Sequence, residues 1–264
     1  MSETFLHPLP ARGPVVREQF RSVGLSLRRE ALAVGGILGI FTGLTAWARL
    51  NGVHGMSVDL VPEAGIPVFL LALFAPLAVW KGEAPGGRGY HLSMPVPHGP
   101  HALLKSASGL LWLLAAVVGY LAWLGVMAVA TGGDIGRSYY GPHGYIPTWW
   151  RWAAIFTGAV TMYGLGTALA LRTVHPWRWL AGGAFGYLVL SAWNATSNGE
   201  NPLYHVVRSL WSGRYGLGTA LTGIARGWGY HYGFGASTWL TAAWLWLGIA
   251  VAVAVIAAYN QPER

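Results

Sequence analysis

Residues 107–130 read ASGLLWLLAAVVGYLAWLGVMAVA, an unbroken stretch without Asp, Glu, Lys or Arg. A helix rises ~1.5 Å per residue, so about 20 apolar residues cross the ~30 Å hydrocarbon of a bilayer. This stretch is long enough to span, and it is apolar on every face. The same grammar recurs on both sides of it. Apolar blocks fill about 31–50, 66–80, 152–171, 177–193 and 238–259. Of the 264 residues 54% are hydrophobic and only 10% charged, and the mean hydropathy is +0.43. Soluble domains carry about 25% charged residues. The reading is an all-α polytopic membrane protein, one transmembrane domain over 1–264 with six transmembrane helices.

Smaller features refine that layout. In residues 1–30, Val16, Phe20, Val23 and Leu27 follow helical spacing, with Arg17, Arg21 and Arg28 around the other face. This predicts an N-terminal interfacial helix, its apolar stripe in lipid; the alternative is a short helix packed on its own protein. In the first span Gly35, Gly39 and Gly43 recur every four residues, a helix-packing face that admits another helix. The second span is short and holds Pro67 and Pro76, which predicts a kink or an extension into the interface. Trp149, Trp150, Trp152, Trp177, Trp179 and Trp239 sit at block ends, the positions of an aromatic belt. The outer loop, 194–237, carries Asn201-Pro202 and then Leu203, Val206, Val207, Leu210 and Trp211. That pattern predicts short outer helices between spans five and six, Asn201 capping the first with Pro202 at its first position.

Charge sets the orientation. With the N-terminus inside, the inner segments hold eleven basic residues, from Arg12 to Arg264. The outer segments hold six: Arg49, Arg137, Arg151, Arg208, Arg214 and Arg226. The positive-inside rule then places both termini in the cytoplasm. The net charge of +8 is thus topological, and nucleic acid is not an expected partner. Of the 17 basic residues only Lys81 and Lys105 are lysine. That bias, with abundant Ala and Gly, points to a GC-rich bacterial coding sequence and a bacterial inner membrane.

Several chemistries are excluded or unsupported. There is no cysteine, hence no disulfide, thiolate catalysis or iron–sulfur cluster. No ionisable residue stands at the centre of a span, as a proton- or sodium-coupled carrier would require. The nine histidines show no HExxH pattern and no acidic partners at ligand spacing, so no metal site is expected. Gly99-Pro-His-Ala-Leu-Leu-Lys105-Ser106 lacks the glycine before the lysine that a phosphate loop needs. No catalytic residues emerge, and the chain is not expected to be an enzyme by itself.

The inner loop, 81–105, carries the sharpest signal. Pro95, Pro97 and Pro100 stiffen it, and Tyr90, Leu92, Met94 and Val96 offer apolar anchors outside lipid. Glu83, Arg88 and His91 add polar contacts. A stiff segment with exposed anchors is a docking surface. The loop resembles the cytoplasmic loop of permease subunits of ABC-type transporters, of the type-2 exporter class. Glu83 after span two, the Pro95-Val96 pair and Lys105 at the entrance to span three match that pattern. Pro97 and His98 stand where the family often has Ser or Thr and then Arg.

The resemblance extends to the layout of six spans with cytoplasmic termini. It implies a permease subunit of an ATP-driven exporter. Its partners would be a cytoplasmic ATPase subunit, a second permease subunit (identical or different) and membrane lipid. The coupling loop would be the partner contact. No cofactor would sit in this chain; ATP and Mg would be bound by the partner. The competing class is a non-transporting scaffold or accessory subunit of a membrane complex.

The absence of native cysteine makes the topology directly testable. Single cysteines at Ser22, Gly86 and Thr173 should be shielded from an impermeant thiol reagent outside intact cells. Cysteines at Asn51, Ser138 and Ser212 should react. Labelling at Gly86 would reject the arrangement.

Overall fold

A computed structural model describes residues 12–52, 57–61, 65–81, 98–135, 140–141, 144–145, 149–197, 199–222, 224–226, 231–233 and 236–260. The decisive stretch lies inside one 34-residue helix, α4 (His98–Thr131). It starts well before residue 107, so the last eight residues of the expected inner loop are helical. Pro100 falls in the first turn, where its missing N–H leaves no hydrogen bond unmade.

Before α4 come α1 (Arg12–Ser26), α2 (Arg28–Leu50) and α3 (Ile66–Val79). After it come a two-strand pair β1 (Tyr140–Gly141) and β2 (Gly144–Tyr145), then α5 (Trp149–Arg172) and α6 (Pro176–Thr196). Next are α7 (Pro202–Ser212), α8 (Leu217–Thr222), a second antiparallel pair β3 (Ile224–Arg226) and β4 (His231–Gly233), and α9 (Ala236–Tyr259). Among the described residues four helices, α2, α4, α5 and α9, are long and apolar enough to cross a membrane. The chain is a multi-pass helical membrane protein.

α5 is the central helix, packed on α3 along one side and on α9 along the other. Small residues make both contacts. A Cβ on Gly158 would lie 2.6 Å from Phe69 Cε1, and one on Gly166 would meet the Leu73 carbonyl. On the other side a Cβ on Gly164 would lie 3.2 Å from the Ala250 carbonyl oxygen. Ala243, Ala250 and Ala257 of α9 are buried and recur every seven residues, one face of the helix. Lipid tails are as apolar as leucine, so helices in a bilayer gain by close approach rather than by exclusion from water. The core adds Val68 and Ala72 of α3, Leu113 and Val117 of α4, and Ile155, Ala159 and Met162 of α5. α3 runs unbroken through Pro76.

The remaining helices are looser. α2 leans on α4 through Phe41 and Thr42, both against Trp123, with a Trp123 Nε1–Thr42 Oγ1 bond of 3.0 Å. Its Gly35, Gly39 and Gly43 face meets no atom within 4 Å of a built Cβ. The close glycine packing lies on α5 instead. α1 turns its stripe toward protein: Phe20 stacks on Trp112 at 4.9 Å, and Val23 is buried. Only Val16 of the stripe's larger members stays exposed. α7 matches its expectation, with Asn201 Oδ1 accepting from Leu203 N and Tyr204 N.

Contacts also fix helix directions. Val79, Trp80, Ala102, Leu171, Ala257 and Ala258 share one cluster with Val23, which defines one end of the bundle. At the opposite end the Val58 N–H donates to Thr131 Oγ1 (2.9 Å), and Trp239 Nε1 donates to the Ala220 carbonyl (3.1 Å). α3, α5 and α9 therefore run from the Thr131 end to the Lys105 end, and α4 runs the other way. α2 starts beside α1 at the Lys105 end. α6 leaves from the end where Arg172 lies and joins, through α7, the α8 segment at the other. Nothing on α6 is buried.

Gly166 should be less replaceable than Gly158, because its nearest neighbour is backbone and cannot rotate away. Gly166→Ala should cost about 1–3 kcal/mol through overpacking. Gly36→Ala, where a Cβ meets nothing within 4 Å, should stay within about 0.5 kcal/mol. Thermal unfolding of the two variants in detergent checks the difference.

Candidate functional site

The loop expected to couple the protein to a partner leaves α3 at Trp80 and returns at His98. Glu83, Arg88, Tyr90, His91, Leu92, Met94, Pro95 and Val96 all lie outside the described residues. The structure does describe both stalks of the loop, and they stand side by side. Trp80 caps α3, its backbone N–H on the Pro76 carbonyl at 2.9 Å, and its ring is 5% exposed. Ala102, one turn into α4, is buried in the same cluster.

One more turn along α4 brings Lys105 over the Trp80 ring. Its Nζ lies 4.7 Å from the ring centroid, and the residue is 7% exposed. A cation over an indole face gains ~0.5–2 kcal/mol, more as water is excluded. A flexible lysine would normally reach for water; here the four-carbon stem is sunk between helices. Among the described residues the Trp80 Nε1–H, buried beside it, meets no acceptor. Leaving such a group unsatisfied costs about 1–3 kcal/mol.

Further bonds lock this end. Tyr163 of α5 donates its hydroxyl to the Ser106 carbonyl of α4 at 2.9 Å. Gly109 permits that approach, because a Cβ there would meet the Tyr163 hydroxyl. Arg172 Nη1 donates to the Asn260 carbonyl at 2.7 Å, tying α5 to the end of α9. α1 is drawn in through Val23. The Lys105 end thus joins α1, both loop stalks and the ends of α5 and α9 into one packed unit.

Sequence reading singled out Lys105 as a marker of the entrance to a span. It had no sign that Trp80 was the partner, since cation–aromatic pairing across a connection leaves no periodic trace. Among the described residues no three His, Asp or Glu side chains gather where they could hold a metal ion. The helix core between the two ends is lined by Val, Leu, Ile, Ala, Phe and Met, with Tyr163 among them. The arrangement ties the two loop stalks to α1, α5 and α9. No protein-family model, curated protein or solved structure matches the chain.

If Trp80 holds the two stalks together, its size and its ring act separately. Trp80→Ala should destabilise the protein by about 3–5 kcal/mol, the usual cost of emptying a buried aromatic site. Trp80→Phe keeps most of the volume and a cation-binding face, and should retain more than half of that stability. Melting temperatures in one detergent decide this; equal losses for both variants would reject the ring's role.

Proposed function

We propose that the chain is the membrane-embedded permease subunit of an ATP-driven transporter, an exporter. It would work with a separate cytoplasmic ATPase and a second permease subunit, and bind no nucleotide itself. The observation that carries the reading is the union of both loop stalks with α1 and the ends of α5 and α9 in one cluster. A force applied to residues 83–101 would enter α3 and α4 together, and pass through the Tyr163–Ser106 bond to α5. A passive connection needs no such bracing.

The alternating helix directions support six crossings, by α2, α3, α4, α5, α6 and α9. α3, with 14 residues, rises only about 21 Å at ~1.5 Å per residue. It would cross by local thinning of the bilayer or through its flanking residues. α6 has 21 residues, about 31 Å at ~1.5 Å per residue, which matches the hydrocarbon. The excess of basic residues at the Lys105 end would set that end, with both termini, in the cytoplasm of a bacterial inner membrane. The open Gly35, Gly39 and Gly43 face of α2 is available for a helix of the second permease subunit.

A scaffold subunit is the second reading. It is favoured by the apolar core between α3, α4 and α5, which offers no polar route for a cargo within one chain. The two readings part at the loop. Glu83→Ala, or Met94→Asp with Val96→Asp, should leave insertion and folding intact, since these positions lie outside the crossing helices. ATP hydrolysis by a copurified ATPase, or transport in vesicles, should fall at least tenfold. Full activity in both variants would reject coupling through the loop. Failure of any ATPase to copurify would favour the scaffold.

A further inference from the structure

The elbow between α5 and α6 encloses an open cavity of about 820 Å³ that the transport reading does not use. Arg172, His175 and Arg178 line one part of it, and Trp179, Gly182 and Gly183 the other. The lining contains no acidic side chain. We propose that this elbow binds the phosphate headgroup of an anionic phospholipid, with an acyl chain lying along α6.

The location follows from α5, which is long and apolar enough to cross a membrane and ends at Arg172. The elbow therefore sits at headgroup depth. Arg172 is held in place by its 2.7 Å bond to the Asn260 carbonyl, so its remaining guanidinium N–H groups form a preset fork. Arg178 lies on the first turns of α6 and is exposed. α6 opens with Pro176, and the side chain of His175 does not cap it. Pro176 has no N–H and the Arg178 N–H is bonded to the His175 carbonyl at 3.0 Å, so the helix start adds its partial positive charge through the dipole and the Trp177 N–H. Two guanidiniums and a helix start exceed the charge of one phosphodiester, so a lipid with a net negative headgroup is favoured over a zwitterion.

The other half of the cavity separates a lipid from free phosphate, which shares the oxyanion chemistry. From Pro176 to Gly183 the helix climbs about 10 Å at ~1.5 Å per residue, away from the charged elbow and into the hydrocarbon. A Cβ at Gly182 or Gly183 would meet nothing within 4 Å, so the helix surface there is bare backbone. Trp179 is 68% exposed at the border, where an indole contacts both headgroup and chain. A soluble phosphate would use only the rim.

The site does not depend on an ATPase, and it can be tested on the purified full-length chain. Native mass spectrometry would follow phosphatidylglycerol and phosphatidylcholine on delipidated protein, with inorganic phosphate as competitor. Phosphatidylglycerol should be retained over phosphatidylcholine. Arg172→Ala with Arg178→Ala should weaken it about twenty-five-fold, a factor of about five for each interfacial arginine. Arg178→Ala alone, at an exposed position, should give about a five-fold loss with an unchanged melting temperature. Gly182→Leu should also weaken the lipid while leaving the charges in place. Equal retention of both lipids, or by wild type and the double variant, overturns the proposal. Displacement by inorganic phosphate with no effect of Gly182→Leu would assign the elbow to a soluble phosphate compound instead.

Discussion

The architecture depends on how closely α5 can approach its two neighbours. Inside a bilayer there is little hydrophobic force to drive helices together, so contact area at short range decides which pairs persist. Gly166 brings the α3 backbone against α5, Gly158 makes room for the Phe69 ring of α3, and Gly164 admits the α9 backbone at Ala250. The direction of each helix and the placing of the two ends follow from that three-helix contact. α4 completes it through Leu113 and Val117. α2 and α6, lacking such contacts, remain at the periphery.

The Lys105 end differs in kind from this apolar centre. A buried cation, an indole and a set of backbone carbonyls hold five segments there. Polar groups are costly away from water unless they meet one another, and the buried Lys105 meets the Trp80 ring. This pair lies where α3 ends and α4 begins. The opposite end is joined by polar bonds of its own, such as Val58 N to Thr131 Oγ1, Asp134 N to Asp59 Oδ1 and Trp246 Nε1 to the Tyr215 carbonyl, each at 2.9 Å.

The two basic centres at that end do different things. Lys105 is withdrawn into the bundle, where its charge serves cohesion. Arg172 and Arg178 stay at the surface, where their charge can be offered to a ligand. Burial separates the roles of residues that composition alone would count together.

Much of this was legible in the sequence. The length and apolarity of 107–130 require a long helix, since a bilayer leaves no water to satisfy an unpaired backbone. The Asn201-Pro202 start of α7 is equally local, a side-chain oxygen reaching N–H groups two and three residues on. Packing was not local. Glycines on α2 and α5 look alike in a list of letters, yet those on α5 meet neighbouring helices and those on α2 meet nothing within 4 Å. The stripe on α1 had a helical period in either environment, and only the position of Trp112 turned it toward protein. Trp80 and Lys105 are separated by a whole loop, and no periodicity links them. Sequence determines which segments must be helical, because that constraint acts between a residue and its own backbone. Which faces meet, and which charges are buried, is decided by the tertiary structure, because it depends on what the rest of the chain brings near.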